Sequence, residues 1–521
     1  MTTAARCILV LFLLAGLTVL GGIAQPVATS AEQSRAKDSA STIPLSSVSA
    51  ERISLAFLIG HGAGWRAAPE WHAVWAAAAT IDPFASRLPA WNELARSMDL
   101  EPTTCFDSLL GIRAGLVIDP AGAWTAVSDI SEPAVASLES ALKTAPRGFE
   151  QGQRVSLIDR GRFSLTKLLA SDGKGPARIS LNDSKSAPEP ERVTDALAGL
   201  DAIVRSVARD SVLGSAGFSW SGKDARGEPM RMAAGAARRG QMIEVRCAAD
   251  PALFDLDQAS AVALASGKPE FASFADTVLF GFRGRLPAPV RPAMGDTANA
   301  VRAAMALMKS PLPDPGVFGQ ELVLEIDRPT EGIFSLTVGL SVLDSTRAAE
   351  HADRLVTAVL EAASRAAGAP GGVLKLGEFD AKTPRDPLAI RMVGFDGAGD
   401  RTPTTYTWAC FAGDAGIDAV RPGWFLFHMR AGDASRDLAE RELRRHAARA
   451  LLGSNTVMSV VIRPSAAARG LDAEALKELV AVGGLGAWIE LAKTIECIDA
   501  RLVATPSGVV EGTGTIVAKS R

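Results

Sequence analysis

The chain has 521 residues, of which 47% are hydrophobic and 22% are charged, so its composition is that of a globular protein. This length exceeds what one ordinary hydrophobic core organises and predicts at least two domains. The net charge is −3, and no long basic run occurs in the sequence. The electrostatic footprint of a nucleic-acid-binding protein is therefore missing, and we expect no nucleic-acid partner.

The N-terminus has the layout of a secretory signal peptide. Arg6 precedes an apolar run at 7–20, and small residues follow as far as Ala24, where a signal peptidase would cleave. The run is shorter than the ~20 residues that span a bilayer, although an uncleaved N-terminal anchor is the alternative. Cys7 opens the run instead of following it, so lipidation is not indicated. We predict a signal peptide at 1–24 and a periplasmic or extracellular mature chain without a membrane span.

The mature chain divides into a leader and two predicted domains. Residues 25–50 are rich in Ser, Ala and Thr and predict a flexible leader. A proline-rich stretch at 286–295 marks the preferred boundary between an N-terminal domain at 51–290 and a C-terminal domain at 291–521. Helical patterns alternate with strand pairs in both, which is typical of an α+β fold with mainly antiparallel sheets and helices packed on one face.

Residue patterns predict individual elements along both domains. In chain order these are a strand at 54–59, a surface loop or linker at 171–191, a helix at 194–207, a hairpin at 230–247, a helix at 344–367, strands at 388–395, 404–411 and 423–429, a charged helix at 433–452, a strand at 455–462, helices at 472–482 and 485–497, and strands at 499–505 and 509–518.

Two segments about 170 residues apart resemble each other. Residues 155–166 and 324–337 both contain Ile-Asp-Arg, a turn with Gly, and Phe-Ser-Leu-Thr, and each follows a helical stretch closed by proline. Alternation on both sides of a Gly-containing turn predicts a β-hairpin in each. The shared order favours a duplication that produced two related halves, with convergence of two ordinary hairpins as the alternative.

Four cysteines follow the signal: Cys105, Cys247, Cys410 and Cys497. An even number in an exported chain permits two disulfides. Alternation within the predicted strands instead places Cys247 and Cys410 on apolar strand faces, where a cysteine behaves as a small buried hydrophobe. The sequence leaves both states open and favours free thiols.

Two sequences resemble hydrolase motifs but fail in context. The run Gly60–Trp65 follows a strand and is similar to the His-Gly loop of lipases, and Ser219 faintly matches a nucleophile elbow. However, Ser221 stands where the elbow needs Gly, and a hairpin follows where the elbow needs a helix. Ser164 and Lys167 match the Ser-x-x-Lys of penicillin-binding enzymes, whose partner motifs are missing from the sequence.

Metal and ligand signatures are equally weak. The five histidines are far apart in sequence, and 396–400 lacks the ligand pattern of a calcium loop. Trp71 and Trp75 could stack on a glycan, but burial in the core is favoured for them. We predict no catalytic, cofactor-binding or metal-binding residues and no cofactor. A carboxylate pair for glycoside hydrolysis would be recognisable only in space.

The export signal, the two Phe-Ser-Leu-Thr hairpins and the C-terminal strand–helix–hairpin at 455–518 resemble the layout of large bacterial exported or periplasmic proteins of unknown function. The resemblance covers 51–521 and implies no catalytic residues. We expect a non-enzymatic binding protein or structural component of the envelope, with an unknown partner. The alternatives are an exported hydrolase with a spatially assembled site and a carrier of lipid or small molecules.

The signal peptide can be tested by expressing the full chain in a Gram-negative host. We expect the periplasmic fraction to contain a protein that begins at Gln25, because the small residues end at Ala24. N-terminal sequencing and intact mass measure this start. A variant lacking 2–24 serves as the control and should stay in the cytoplasm. A membrane-bound full-length product would support the uncleaved anchor instead.

Overall fold

The structure is a computed structural model, and the part of the chain that it describes has gaps. The described residues are 45, 53–67, 73, 76–77, 92, 95–96, 99–131, 164–168, 177–182, 190–208, 214–223, 227, 229–239, 242–254, 256–266, 274–285, 318–327, 335–342, 344, 347–350, 356, 374–378, 387–395, 404–411, 414–416, 419–421, 423–431, 437–438, 440–444, 455–470 and 485–519.

Strands account for most of the elements. They are β1 (Leu55–Gly60), β2 (Arg113–Ile118), β3 (Trp124–Ile130), β4 (Ser164–Leu168), β5 (Ala177–Asn182), β6 (Ser215–Lys223), β7 (Pro229–Arg239), β8 (Met242–Ala249), β9 (Val278–Arg285), β10 (Phe318–Asp327), β11 (Ser335–Val342), β12 (Leu374–Glu378), β13 (Pro387–Phe395), β14 (Thr404–Phe411), β15 (Asp414–Gly416), β16 (Ala419–Arg421), β17 (Gly423–Ala431), β18 (Thr456–Ile462), β19 (Ile495–Ala504) and β20 (Val510–Ala518).

Helices lie between the strands. They are α1 (Gly62–Ala67), α2 (Pro102–Leu110), α3 (Pro190–Ala208), α4 (Gln258–Ala265), α5 (Pro464–Gly470) and α6 (Leu485–Thr494), with a 3₁₀ turn at Pro251–Phe254. Residues 347–350 and 356 are also helical, as are 437–438 and 440–444, and we call the latter group the Glu442 helix. Among the described residues, no helix combines the length and the apolar character needed to cross a membrane.

The chain forms two compact units. Unit A comprises the described residues of Ile8–Leu253, Leu471–Ile498 and Val509–Arg521, and unit B those of Phe254–Gly470 and Asp499–Gly508. The sequence-based bounds 51–290 and 291–521 stay a prediction.

Each unit contains an antiparallel sheet. In unit A the strands lie in the order β4-β5-β3-β2-β1-β6-β7-β8-β20. In unit B the order is β12-β13-β14-β17-β11-β10-β9-β18, and β15 pairs with β16 in a separate small sheet. Every one of these pairings is antiparallel, which confirms the predicted mainly antiparallel architecture.

In unit A, helices pack on both faces of the sheet. Leu55 of β1 belongs to a core cluster that includes Trp65 of α1 and Leu491 of α6. The next residue, Ala56, belongs to a second cluster that includes Leu197 of α3. Successive strand residues point to opposite faces, so α3 covers one face while α1 and α6 cover the other. The prediction of helices on one face is not confirmed here.

In unit B, helical residues also pack on both faces of the strands. Trp408 of β14 packs in a cluster with Ala348. Its neighbour Ala409 packs in a different cluster with Leu443 of the Glu442 helix. Helical residues therefore bury both faces of this sheet as well. The prediction of two related halves is not confirmed either.

Glycine residues form a row across unit A where α3 crosses the strands. Leu58 of β1 lies opposite Gly115 of β2 and Gly217 of β6, and Gly217 lies opposite Gly235 of β7. Residues that lie opposite each other point to the same face of a sheet. The row therefore presents one side chain and three bare backbones to α3.

The bare backbones let α3 approach the sheet closely. A Cβ added at Gly217 would lie 2.9 Å from Cγ2 of Val204, and one added at Gly235 would lie 2.9 Å from Cγ2 of Val207. Both valines are buried, as is Leu197, whose side chain occupies the space above Gly115. Close packing of this kind leaves no room for an extra methyl group.

Several sequence-based predictions are confirmed and two are wrong. The helix at 194–207 lies within α3, and the hairpin at 230–247 is β7–β8. The segment 171–191 is not entirely loop, because β5 lies inside it and pairs with β3 and β4. The helix at 485–497 ends at Thr494, where β19 begins, so Cys497 is in a strand.

Other predictions fall wholly or partly outside the described residues. The second copy of the repeated segment is the β10–β11 hairpin. Of the first copy only 164–166, at the start of β4, is described. The helix at 472–482 lies outside the described residues, as does the leader apart from Leu45, which is buried in the α3 cluster.

Among the described residues, Cys105, Cys247, Cys410 and Cys497 form no disulfide with one another. Cys247 lies on the apolar face predicted for it, and burial together with the negative charge of Glu511 raises its pKa to about 12. Burial also raises the pKa of Cys105 to about 11. These two thiols stay protonated at neutral pH and are poor nucleophiles.

The fit of α3 predicts how substitutions in the glycine row combine. Gly217→Ala should lower the free energy of unfolding by about 1–3 kcal/mol, because its methyl group overlaps Val204. Val204→Ala should remove the overlap, so the double variant should lose less stability than the sum of the single losses. Urea unfolding measures the coupling. Losses that add to within about 0.5 kcal/mol would contradict the proposed contact.

Candidate functional site: a buried polar row

Four polar side chains form a row across adjacent strands of unit B. Glu325 of β10 lies opposite Thr337 of β11, Thr337 lies opposite His428 of β17, and His428 lies opposite Thr407 of β14. Glu325, Thr337 and Thr407 are each 1% exposed, and His428 is 3% exposed. Opposed residues share a face, so the four groups line one solvent-excluded strip, which we call the polar row.

Strand alternation places the histidine in this row. In β17 (GWFLFHMRA), Trp424, Leu426 and His428 occupy every second position and point to one face. Trp424 and Leu426 pack with Leu443 of the Glu442 helix. The imidazole thus lies beside an apolar cluster, on the face that the Glu442 helix covers.

The His428 ring contacts oxygen atoms through both of its nitrogens. Nδ1 lies 2.8 Å from Oγ1 of Thr337, and Nε2 lies 3.5 Å from Oε2 of Glu442. The other carboxylate oxygen of Glu442 accepts a hydrogen bond of 2.6 Å from Nη1 of Arg430. A hydroxyl, an imidazole, a carboxylate and a guanidinium are therefore connected in that order.

These contacts control the charge of Glu442. Burial alone raises the pKa of this carboxyl group, but the hydrogen bond and charge of His428 and the charge of Arg430 outweigh it and lower the pKa to about 2. The group is thus ionised at neutral pH, as a carboxylate that faces two donors.

One neutral tautomer of His428 would match the polar atoms on both sides of the ring. A carboxylate can only accept, so Nε2 carries the proton towards Glu442 in that tautomer, and Nδ1 accepts from the hydroxyl of Thr337. This assignment follows from the hydrogen-bonding capacity of the neighbours.

The other end of the row is closed by a buried ion pair. Nε of Arg283 donates to Oε1 of Glu325 over 3.0 Å, and Nη2 of Arg283 donates to the same oxygen. The guanidinium carbon also lies 4.4 Å from the ring centre of Phe274. The two charged side chains are 8% and 1% exposed, so the pair is effectively removed from water.

Hydroxyl, imidazole and carboxylate are the groups of a nucleophile, its general base and the residue that orients the base. Nucleophilic attack also requires that a substrate reach the hydroxyl. Thr337 is only 1% exposed and His428 only 3%. The arrangement has the composition of a hydrolytic site but is closed to substrate in this structure.

The residues considered from the sequence lie elsewhere. His61 is exposed and left-handed (φ 54°) in the turn between β1 and α1, a conformation unusual for a residue with a side chain. Ser219 is 6% exposed within β6 and forms no elbow. Lys167 lies in β4. Trp71, Trp75 and the turn at 396–400 lie outside the described residues.

Sequence reasoning missed the polar row because its members are far apart in the chain. Thr337 and His428 are separated by 91 positions. One sequence feature could have pointed to the polar row: His428 follows the apolar Trp424 and Leu426 at every second position of β17. This pattern does not indicate which residues contact the histidine. Within the described residues, no three His, Cys, Asp or Glu side chains are placed to bind one metal ion.

We compared the chain with known protein families, curated proteins and solved structures. No protein-family model matches the chain, and searches of curated proteins and of solved structures find no similar protein.

The ion pair between Arg283 and Glu325 predicts an asymmetric response to substitution. Arg283→Met should lower the free energy of unfolding by about 3–5 kcal/mol, because it removes the guanidinium that pairs with a carboxylate at 1% exposure. The double variant Arg283→Met/Glu325→Leu should recover most of that loss. Guanidinium unfolding gives both values.

A pair on the same two strands supplies the control. Nε of Arg285 lies 3.4 Å from Oε1 of Glu321, with side chains 26% and 29% exposed. Arg285→Met should cost about 1 kcal/mol or less, because solvent screens this pair. Equal losses for Arg283→Met and Arg285→Met would contradict the role of burial.

The lowered pKa of Glu442 predicts a dependence of stability on pH. Its folded pKa of about 2 lies below the ordinary value of 4.5, so its contribution is complete above pH 4.5 and is lost as the pH falls towards 2. Glu442→Gln should therefore destabilise unit B at pH 6 by up to about 3 kcal/mol, and the difference from the unmodified protein should shrink below pH 4.5. Urea unfolding at several pH values measures it.

Glu440 on the same helix provides a matched comparison. Its Oε1 pairs with Nη2 of Arg444 one turn away, and both side chains are partly exposed. Glu440→Gln should change stability by only about 0.3–0.5 kcal/mol at pH 6. A similar loss for both variants would show that the contacts of Glu442 contribute nothing specific.

Proposed function

We propose that the chain is an exported, non-enzymatic protein that acts by binding or as a structural component of the bacterial envelope. The observation that carries the proposal is the burial of Thr337 and His428, which are 1% and 3% exposed. The groups with the best composition for catalysis in the described residues are closed to substrate, so stabilisation of unit B is the role that their environment supports.

Export enters the proposal from the sequence. The apolar run at 7–20 and the small residues up to Ala24 support a cleaved signal, and the layout of 51–521 supports a place among large bacterial exported proteins of unknown function. The two Phe-Ser-Leu-Thr segments support an origin by duplication, which we keep as part of the proposal. The binding partner is left open.

A hydrolase is the second candidate, and one observation favours it. Oγ1 of Thr337 lies within hydrogen-bonding distance of Nδ1 of His428, at 2.8 Å, while the other ring nitrogen faces the ionised carboxylate of Glu442. That connectivity matches a nucleophile, a base and an orienting acid. It would make this cluster the spatially assembled site of an exported hydrolase.

The two candidates are separated by an activity assay on the purified mature chain. The substrates are chromogenic esters, glycosides, phosphoesters and a casein digest, assayed at pH 5 to 9. We expect no turnover above the level of the variant Thr337→Val, which keeps the shape of the side chain and removes the hydroxyl. Circular dichroism and thermal unfolding establish that both proteins are folded.

Thr407→Val is the matched control, since Thr407 lies beside His428 in the polar row but on the opposite neighbouring strand. Turnover that is lost in Thr337→Val and retained in Thr407→Val would overturn the non-enzymatic proposal and support the hydrolase. Turnover that persists in both folded variants would place an active site elsewhere in the chain and would also overturn the proposal.

A further inference from the structure

We draw no further inference here: the strongest candidate, the exposed apolar surface patch of α4 around Val262 in unit B, carries nothing because the described residues do not show what covers it.

Discussion

Burial of both faces of each antiparallel sheet is the constraint on which the rest of this structure depends. An antiparallel sheet commonly keeps one face in water, so every second residue can be polar without cost. Here Leu55 and Ala56 pack against different helices in unit A, and Trp408 and Ala409 do so in unit B. A strand residue in these regions is therefore apolar, reduced to backbone, or polar with a partner inside the protein.

Both units meet this constraint in two ways, with glycines under packed side chains and with buried polar groups that have partners, as one example from each unit illustrates. Unit A removes side chains, since Gly217 and Gly235 lie directly under α3 and no Cβ fits there. The side chains of Val204 and Val207 rest on these glycine backbones and so determine the distance between α3 and the strands. Unit B keeps polar side chains and pairs them, with Glu325 held by Arg283 at one end of the polar row. Close packing resists added volume, whereas paired polar groups resist the loss of a partner, and the two kinds of position should therefore be sensitive to different substitutions.

Local patterns were enough to predict much of the sheet but not the candidate site. Alternation predicted the β7–β8 hairpin and the apolar face of Cys247, because both depend on residues adjacent in sequence. The strand β5 was missed, because its short alternation lies among polar residues that are typical of loops. The pairing of β11 with β17 brings Thr337 to His428, and no local pattern specifies which distant strands become neighbours. The sequence therefore does not predict that Thr337 and His428 are neighbours, even where it predicts their strands.

The position of Glu442 determines whether a substrate could reach Thr337 while the carboxylate stays beside His428. Admitting a substrate to Thr337 requires removing what covers that face of the sheet, and the Glu442 helix is part of this cover, seated by Leu443, which is 0% exposed. The same helix carries the carboxylate that orients the imidazole. If the Glu442 helix moved away, that face would open, and the carboxylate of Glu442 would leave the imidazole at the same time. The opened site would then lack one of the three groups, hydroxyl, imidazole and carboxylate. Catalytic groups need to be held in place while the substrate is bound. Here the helix that carries the third group also covers the site, and that coupling supports the structural role that we propose.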